Sequence, residues 1–371
     1  MTRAVLCLST IVILITSCRN GMQKQAFLAK VESQLDSLLA NPKINSLSLG
    51  LVMDGKSYTF HKGRLLIGEA PTDATLYEIA SLTKTFTGTL LAKAIAEKRV
   101  DIDDDVRKYL KESLPNLEYG GKPITFRHLA THQSGLPHMF PDVEGLFENP
   151  DWDTLPFKLN QIQKDFSRED FFKELAKVRL DIAPGSTFRY SNAGANLLGY
   201  ILEEIYNKRF ETLLIKKLFT PLDMKNSELS LAKVNRDKLA IGTNTGNVKM
   251  PTRIEKDMNA EGGIVTNTAD MINYLKFHLE KENKVVKISH QHLWDGQYGD
   301  FEAGLFWQIN KNGNEADRIF QNGGAFGTSS WITLVPERQI GVFIITNVAG
   351  QEIHQKLAET TEKIIALLNI R

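Results

Sequence analysis

Two strand pairs, one near each end of the chain, constrain this sequence more than any other feature. Near the N-terminus "SLSLGLVM" (46–53) and "KSYTFHKG" (56–63) are joined by Asp54-Gly55. Asp-Gly between two such runs is a strong hairpin signal. Near the C-terminus "SSWITLV" and "QIGVFIITN" flank a turn at Pro336-Glu337-Arg338. The chain between them reads as helical. Leu82, Phe86, Leu90, Leu91, Ala94 and Ile95 form one apolar face after Ser81, with Lys98 and Arg99 closing the last turn. "NLLGYILEEIYNKRF" and "TADMINYLKFHL" are further helices. Phe27, Leu28, Val31, Leu35, Leu38 and Leu39 predict a helix before the first hairpin, and Ile353, Leu357, Ile364 and Leu368 predict one at the end. Strands at both ends with helices between predict an α+β fold. An antiparallel sheet collects both termini and is flanked by helices. The α/β part spans about 27–100 and 257–371, and a mainly helical part about 101–256 is inserted, all in one domain.

Composition excludes some functions. The 371 residues carry a net charge of +1, with 42% apolar and 24% charged residues. Nucleic acid as a partner needs a concentrated basic surface, and no run of lysines and arginines exists here.

The first residues point to export. Arg3 precedes an apolar run, Ala4 to Ile15, followed by "TSC" ending at Cys18. The run is too short to span a bilayer and suits a signal peptide over 1–17. The small residues before Cys18 resemble a bacterial lipobox. That resemblance implies cleavage before Cys18, lipidation of its thiol, a tether over 18–26, and a catalytic domain on the periplasmic or cell-surface side of a membrane. An ordinary signal peptide with an incidental cysteine is the alternative. Only Cys7 and Cys18 exist, and loss of Cys7 with the signal leaves no disulfide to form.

Chemistry begins at "SLTK", Ser81 to Lys84. A serine at a helix start lies near the positive end of the helix dipole, and a lysine one turn on reaches the same face. A nucleophilic serine needs a proton acceptor. A solvent-exposed lysine has a pKa of about 10.4, so holding it neutral at pH 7 costs roughly 4.6 kcal/mol, which a buried site or a second base must supply. Spacing alone is weak evidence, because Ser230 and Lys233 repeat the pattern, in a polar stretch without a long helix. The second candidate is "YSN", Tyr190 to Asn192, where tyrosine beside lysine makes a plausible shared base. A loop tyrosine with an ordinary helix cap is the other reading. The third feature is "IFQNGGAFGTSSWITLVP", a strand interrupted by Gly323, Gly324 and Gly327. Glycines there mark a place that something approaches closely.

These motifs, in this order and spacing, resemble the class C β-lactamase-like serine hydrolases of the β-lactamase and penicillin-binding protein superfamily. "ITFRHLATHQSGLP", "PGSTFRYSNAGANLLGYILE", "LFTPLDMKNS", "GGIVTNTADM", "GLFWQI" and "GTSSWITLVPE" look like that family too, over roughly Asn45 to Asn347. The resemblance implies a β-lactamase/transpeptidase-like fold. It implies that Ser81 forms an acyl-enzyme, that Lys84 and Tyr190 relay protons and that Asn192 orients the substrate. The N–H groups of Ser81 and Gly324 would form the oxyanion hole, with Gly323 in the same wall. No metal or cofactor is implied. The substrate would be a small molecule or peptide with an ester, amide or D-amino-acid peptide bond. A β-lactamase or D-alanyl-D-alanine carboxypeptidase is the alternative, and a non-hydrolysing penicillin-binding sensor is a second.

One position departs from the family. The lysine-threonine-glycine or histidine-x-glycine triad reads Gln321, Asn322, Gly323 here. The missing cation helps hold a substrate carboxylate in penicillin-recognising members. Its loss would cost about tenfold in affinity, since a charged hydrogen bond is worth roughly 1.5–3 kcal/mol against about 1 for a neutral one. Other polar groups carry less. His128 and His132 have a metal-ligand spacing, but no glutamate follows His128 and no third ligand is evident. His290 and His292 read as surface residues, and Asp101 to Asp105 as a solvated helix start rather than a calcium loop. Glu78 and Glu261 are placed near the cleft, with nothing in the sequence to make either a general base.

Overall fold

The strand pairs from the two ends of the chain meet in one sheet. The computed structural model describes residues 24–368 apart from 144, 230, 232, 255, 258, 296–300 and 312–315. The expected signal peptide and Cys18 therefore lie outside the described residues, as does Ser230. In chain order the sheet contains β1 (Ser46–Met53), β2 (Lys56–Gly63), β3 (Trp294–Asp295), β4 (Phe301–Ala303), β5 (Gln308–Asn310), β6 (Arg318–Gly324), β7 (Ser329–Val335) and β8 (Ile340–Thr346). They lie in the order β2-β1-β8-β7-β6-β5-β4-β3, each antiparallel to its neighbour. The Asp54-Gly55 turn has φ of 50° and 71°, both positive, as the tight hairpin turn requires.

The main helices are α1 (24–39), α2 (Thr83–Ala96), α3 (Phe126–Ala130), α4 (Leu155–Gln163), α5 (Arg168–Lys177), α6 (Asn192–Tyr206), α7 (Thr268–His278) and α8 (Gln351–Ala366), besides the short helices Phe210–Leu214 and Lys284–Ser289 and single turns. Helix α1 already covers 24–26, the end of the expected tether. Helices α1 and α8 cover one face of the sheet, where Val31, Leu35, Leu357 and Ile364 meet Leu47, Leu49, Leu51, Val342 and Ile344. On the other face, Phe86 and Leu90 of α2 and Met271 and Leu275 of α7 pack with Phe343 and Ile345.

Helix α2 is more buried than its apolar stripe predicts. Thr83, Lys84, Thr85, Thr87 and Thr89 are all buried. Their hydroxyls are satisfied inside: Thr85 Oγ1 donates to Leu82 O (2.7 Å) and Thr87 Oγ1 to Ala260 O (2.6 Å). Paired in this way, polar groups are tolerated in a core. The helix ends at Ala96, and Lys98 beyond it is left-handed (φ 59°), so the last turn closes before Lys98 and Arg99.

Candidate active site

A single 3₁₀ turn, Ala80–Leu82, carries Ser81 into α2. Ala80 has φ 49°. The left-handed region costs an alanine roughly 1–2 kcal/mol, and such strain collects at functional sites when neighbours over-determine it. Here the two-residue strand Tyr77–Glu78 pairs with Val265–Thr266, and Ile79 N donates to Ile264 O (3.1 Å). Ile264 N in turn donates to Thr83 Oγ1 (3.0 Å). The segment before Val265 is thereby stitched beside the serine.

Ser81 Oγ lies 2.7 Å from Tyr190 Oη and accepts from Lys84 Nζ at 3.0 Å. The lysine, fully buried, also donates to Glu261 O (2.6 Å) and lies 3.6 Å from Glu261 Oε2. Its ammonium stands 4.9 Å from the centre of the Tyr190 ring. Either hydroxyl can donate in the Ser81–Tyr190 pair, and when Ser81 donates, the phenol oxygen is the nearest acceptor for its proton.

Tyr190 is held from behind. Ser191 caps α6, accepting from Gly194 N (2.8 Å) and donating to Pro137 O (2.6 Å). Asn192 N donates to His138 O (2.7 Å), so the "SGLPH" loop braces "YSN". The His132 ring lies 4.4 Å from Tyr190, and its Nδ1 accepts from Ser191 N (3.1 Å). Burial, reinforced by the Lys84 charge, pushes this imidazole well below its ordinary pKa, so it packs as a neutral ring. His138 is lowered for the same two reasons. Helix α3 ends at Ala130 and His132 has φ 57°, so His128 and His132 do not share a helix face. Among the described residues no cluster of His, Cys, Asp and Glu could hold a metal ion.

Ser81 opens into a cavity of about 980 Å³, whose lining includes Asn192, Gly324, Arg253, Glu261 and His354. Asn192 lines the cavity, and its buried Oδ1 has no protein partner. Ser81 and Gly324 both border the cavity, as the expected oxyanion donors must. Gly323 and Gln321 are placed differently. A Cβ on Gly323 would overlap the Ile79 carbonyl oxygen, so the turn before Ser81, rather than a substrate, presses against this glycine. A Cβ on Gly327 would likewise meet the Gly242 backbone. Gln321 is buried and does not line the cavity. Its Nε2 donates to Phe306 O (2.7 Å), and its Oε1 accepts from Asn322 N (2.9 Å) and Gln308 Nε2 (3.1 Å). Phe306 lies 5.1 Å from the His132 ring. Gln321 therefore pins the packing behind Tyr190 instead of facing a substrate carboxylate.

Glu261 is the residue that sequence reasoning underrated. It is buried, beside Lys84 on one side and ion-paired with Arg253 on the other. A Cβ on the adjacent Gly262 would strike the Arg253 guanidinium, so the glycine after the glutamate was the available signal. Glu78 Oε1 accepts from Arg253 N (2.9 Å) and fixes that segment. His290 is half-buried rather than on the surface, its Nε2 3.0 Å from His278 Nδ1 and its ring 5.4 Å from Trp307. His292 is exposed beside Glu302. Asp105 caps a 3₁₀ turn, accepting from Arg107 N. Lys233 of the second serine-x-x-lysine is ion-paired with Glu211 at 2.6 Å.

Comparison with known proteins identifies the family and the fold. The family model described as Beta-lactamase matches residues 31–364. "Protein flp" of Staphylococcus aureus (strain N315) is 24% identical over 325 residues, which cover 85% of this chain and 61% of that protein. This chain thus spans only about three-fifths of the length of that relative. The "Beta-lactamase" of Escherichia coli (strain K12) is 23% identical over 371 residues, 89% of this chain and 91% of that one. A solved β-lactamase/D-alanine carboxypeptidase from Yersinia pestis, complexed with citrate, superposes with a TM-score of 0.75. It is 21% identical and covers 91% of this chain and 98% of its own.

Proposed function

The chain belongs to the beta-lactamase family, and from that premise we propose that it is a serine hydrolase acting through an acyl-enzyme on Ser81. The observation that carries this is the meeting of Ser81 Oγ with Tyr190 Oη at 2.7 Å and Lys84 Nζ at 3.0 Å. Ser81 Oγ bonds to the substrate carbonyl carbon while its proton passes to the Tyr190–Lys84 pair. That proton goes to the leaving alcohol or amine as its bond to the carbonyl breaks. Water then repeats the sequence: its oxygen bonds to the acyl carbon, the Oγ–C bond breaks, and Oγ regains a proton. The N–H groups of Ser81 and Gly324 stabilise the oxyanion, each worth about 3–4 kcal/mol of barrier. Asn192 orients the substrate through its amide. Glu261 lies opposite the Lys84 ammonium and positions it.

The substrate class is a neutral ester or amide rather than a carboxylate-bearing β-lactam or D-alanine terminus. The support is Gln321, which carries no charge and whose amide is engaged by Phe306, Asn322 and Gln308. Incubation with a fluorophosphonate should add one label, seen by intact mass, that Ser81→Ala abolishes. Absence of a label on the wild type would refute the nucleophile, and a penicillin adduct persisting for hours would favour the sensor reading. Comparison of kcat/KM for cephalosporins and short p-nitrophenyl esters tests the substrate class, and efficient cephalosporin turnover would sink it. The chain is further proposed to be an exported lipoprotein anchored through Cys18. The support is the apolar run and small residues that precede the cysteine. Mass analysis of protein from the membrane fraction should find an acylated N-terminal cysteine, and Cys18→Ala should release the protein.

A further inference from the structure

The cavity beside Ser81 has two unlike halves. One is polar, with Asn244, Arg253, Glu261 and His354. The other comes from one stretch of chain, 139–171, and includes Met139, Phe140, Leu155, Leu159, Phe166 and Phe171. Four of these, Met139, Phe140, Leu155 and Phe171, are buried in the protein. The apolar surface does not stop at the mouth. Phe147 and Trp152 also line the cavity and are exposed there, Trp152 by 66%. Phe157 and Ile254, adjoining the lining residues Pro156 and Arg253, are exposed as well. Exposed aromatic side chains that continue a buried apolar lining form a binding surface, whereas scattered ones need no account.

We propose that one of the two groups flanking the scissile bond is a linear hydrocarbon chain, held in this apolar half and emerging past Phe147 and Trp152. The inference rests on the serine-hydrolase reading of the same cavity. It commits to hydrocarbon because this stretch lines the cavity mainly with Met, Leu and aromatic side chains and only Asp153 and Gln163 as polar ones, so a sugar or charged peptide arm would lose more hydrogen bonds to water than it regained, a costly exchange. A methylene chain gives up no hydrogen bonds and releases water from both surfaces. The polar half then takes the remaining part of the substrate.

Two ester series test this, each held below its critical micelle concentration. In p-nitrophenyl alkanoates the acyl chain grows, and in n-alkyl acetates the alcohol chain grows. In one series kcat/KM should rise about two- to fourfold per added methylene until the arm is full, fourfold being the limit for complete burial. The series that rises shows on which side of the bond the chain lies. Trp152→Ser combined with Phe147→Ser should lower the octanoate-to-acetate ratio, or its alkyl counterpart, at least fivefold. The ratio is internal to each variant, so partial misfolding cancels. Flat or falling profiles in both series, with Ser81 still labelled by a fluorophosphonate, would overturn the hydrocarbon arm alone. An unchanged ratio in the double variant would also overturn it. No labelling of Ser81 would overturn the serine-hydrolase reading, and the proposal with it.

Discussion

The two faces of the sheet solve opposite problems. Against α1 and α8 the contact is chiefly hydrocarbon, with Val31, Leu35, Leu357 and Ile364 on β1 and β8. Against α2 the buried set includes four threonines, Lys84, Tyr274 and His278. Hydrocarbon tolerates small shifts, since its contacts have no direction. Hydrogen-bonded groups do not, because each is worth about 1 kcal/mol when paired and costs about 1–3 kcal/mol when left unpaired in a core. The first face supplies stability and the second supplies position. A lysine with no exposed surface can stand beside a serine only because the Glu261 backbone and carboxylate meet it there.

Substitutions can break this contrast. The largest effect is expected for Ser81→Ala, which should cut kcat at least about 10⁴-fold while leaving Tm within about 2 °C; residual turnover above that level would place the nucleophile elsewhere. Leu35→Ala on the other face should do the reverse. A loss of about 2–5 kcal/mol in denaturant unfolding is expected, with kcat per folded molecule unchanged, and a drop in kcat would show that both faces position the site. Glu261→Gln falls between them. It keeps the shape and removes the charge opposite Lys84, so kcat should fall about 10- to 100-fold with a displaced pH–rate profile and little change in KM. An unshifted profile would reduce Glu261 to a purely structural role.

The smallest effect is a pH dependence confined to the polar face. Burial pushes His290 down to about 3 and its partner His278 well below the ordinary value. Below about pH 6.5 the unfolded chain binds protons that the folded chain refuses, so stability falls with falling pH through this window. Tm should drop by about 5 °C between pH 7 and 4.5, and His290→Gln should flatten the drop. A wild-type Tm constant over that range would show that the pair is hydrated.

Much of this was legible in the chain because the signals were local. Asp54-Gly55 specified a hairpin, and Ser81 and Lys84 share a helix face through their spacing alone. The pairing of Ser81 with Tyr190 needed the family resemblance, since 109 residues separate them. Glu261 was not legible as a partner of Lys84. Its position depends on Tyr77–Glu78 pairing with Val265–Thr266, and two-residue strands leave almost no pattern. His290 reads as a surface residue because nothing nearby in sequence predicts its stack on His278 or its edge contact with Trp307. The glycine-broken strand was correctly read as a place of close approach, but at Gly323 the approaching group is Ile79 backbone.

The pairing of β1 with β8, with Leu47 opposite Thr346, also sets when the molecule can exist. Contacts between distant parts of a chain form late and slow folding. Strand β1 waits for β8, nearly 300 residues on (Leu47 to Thr346), before its second edge is covered. A chain threaded through a narrow passage from its N-terminus would stay without its central sheet until nearly all of it had emerged. Until Arg318–Gly324 has emerged, Ser81 lacks the Gly324 side of its cavity, so a chain cut short of it should be inactive.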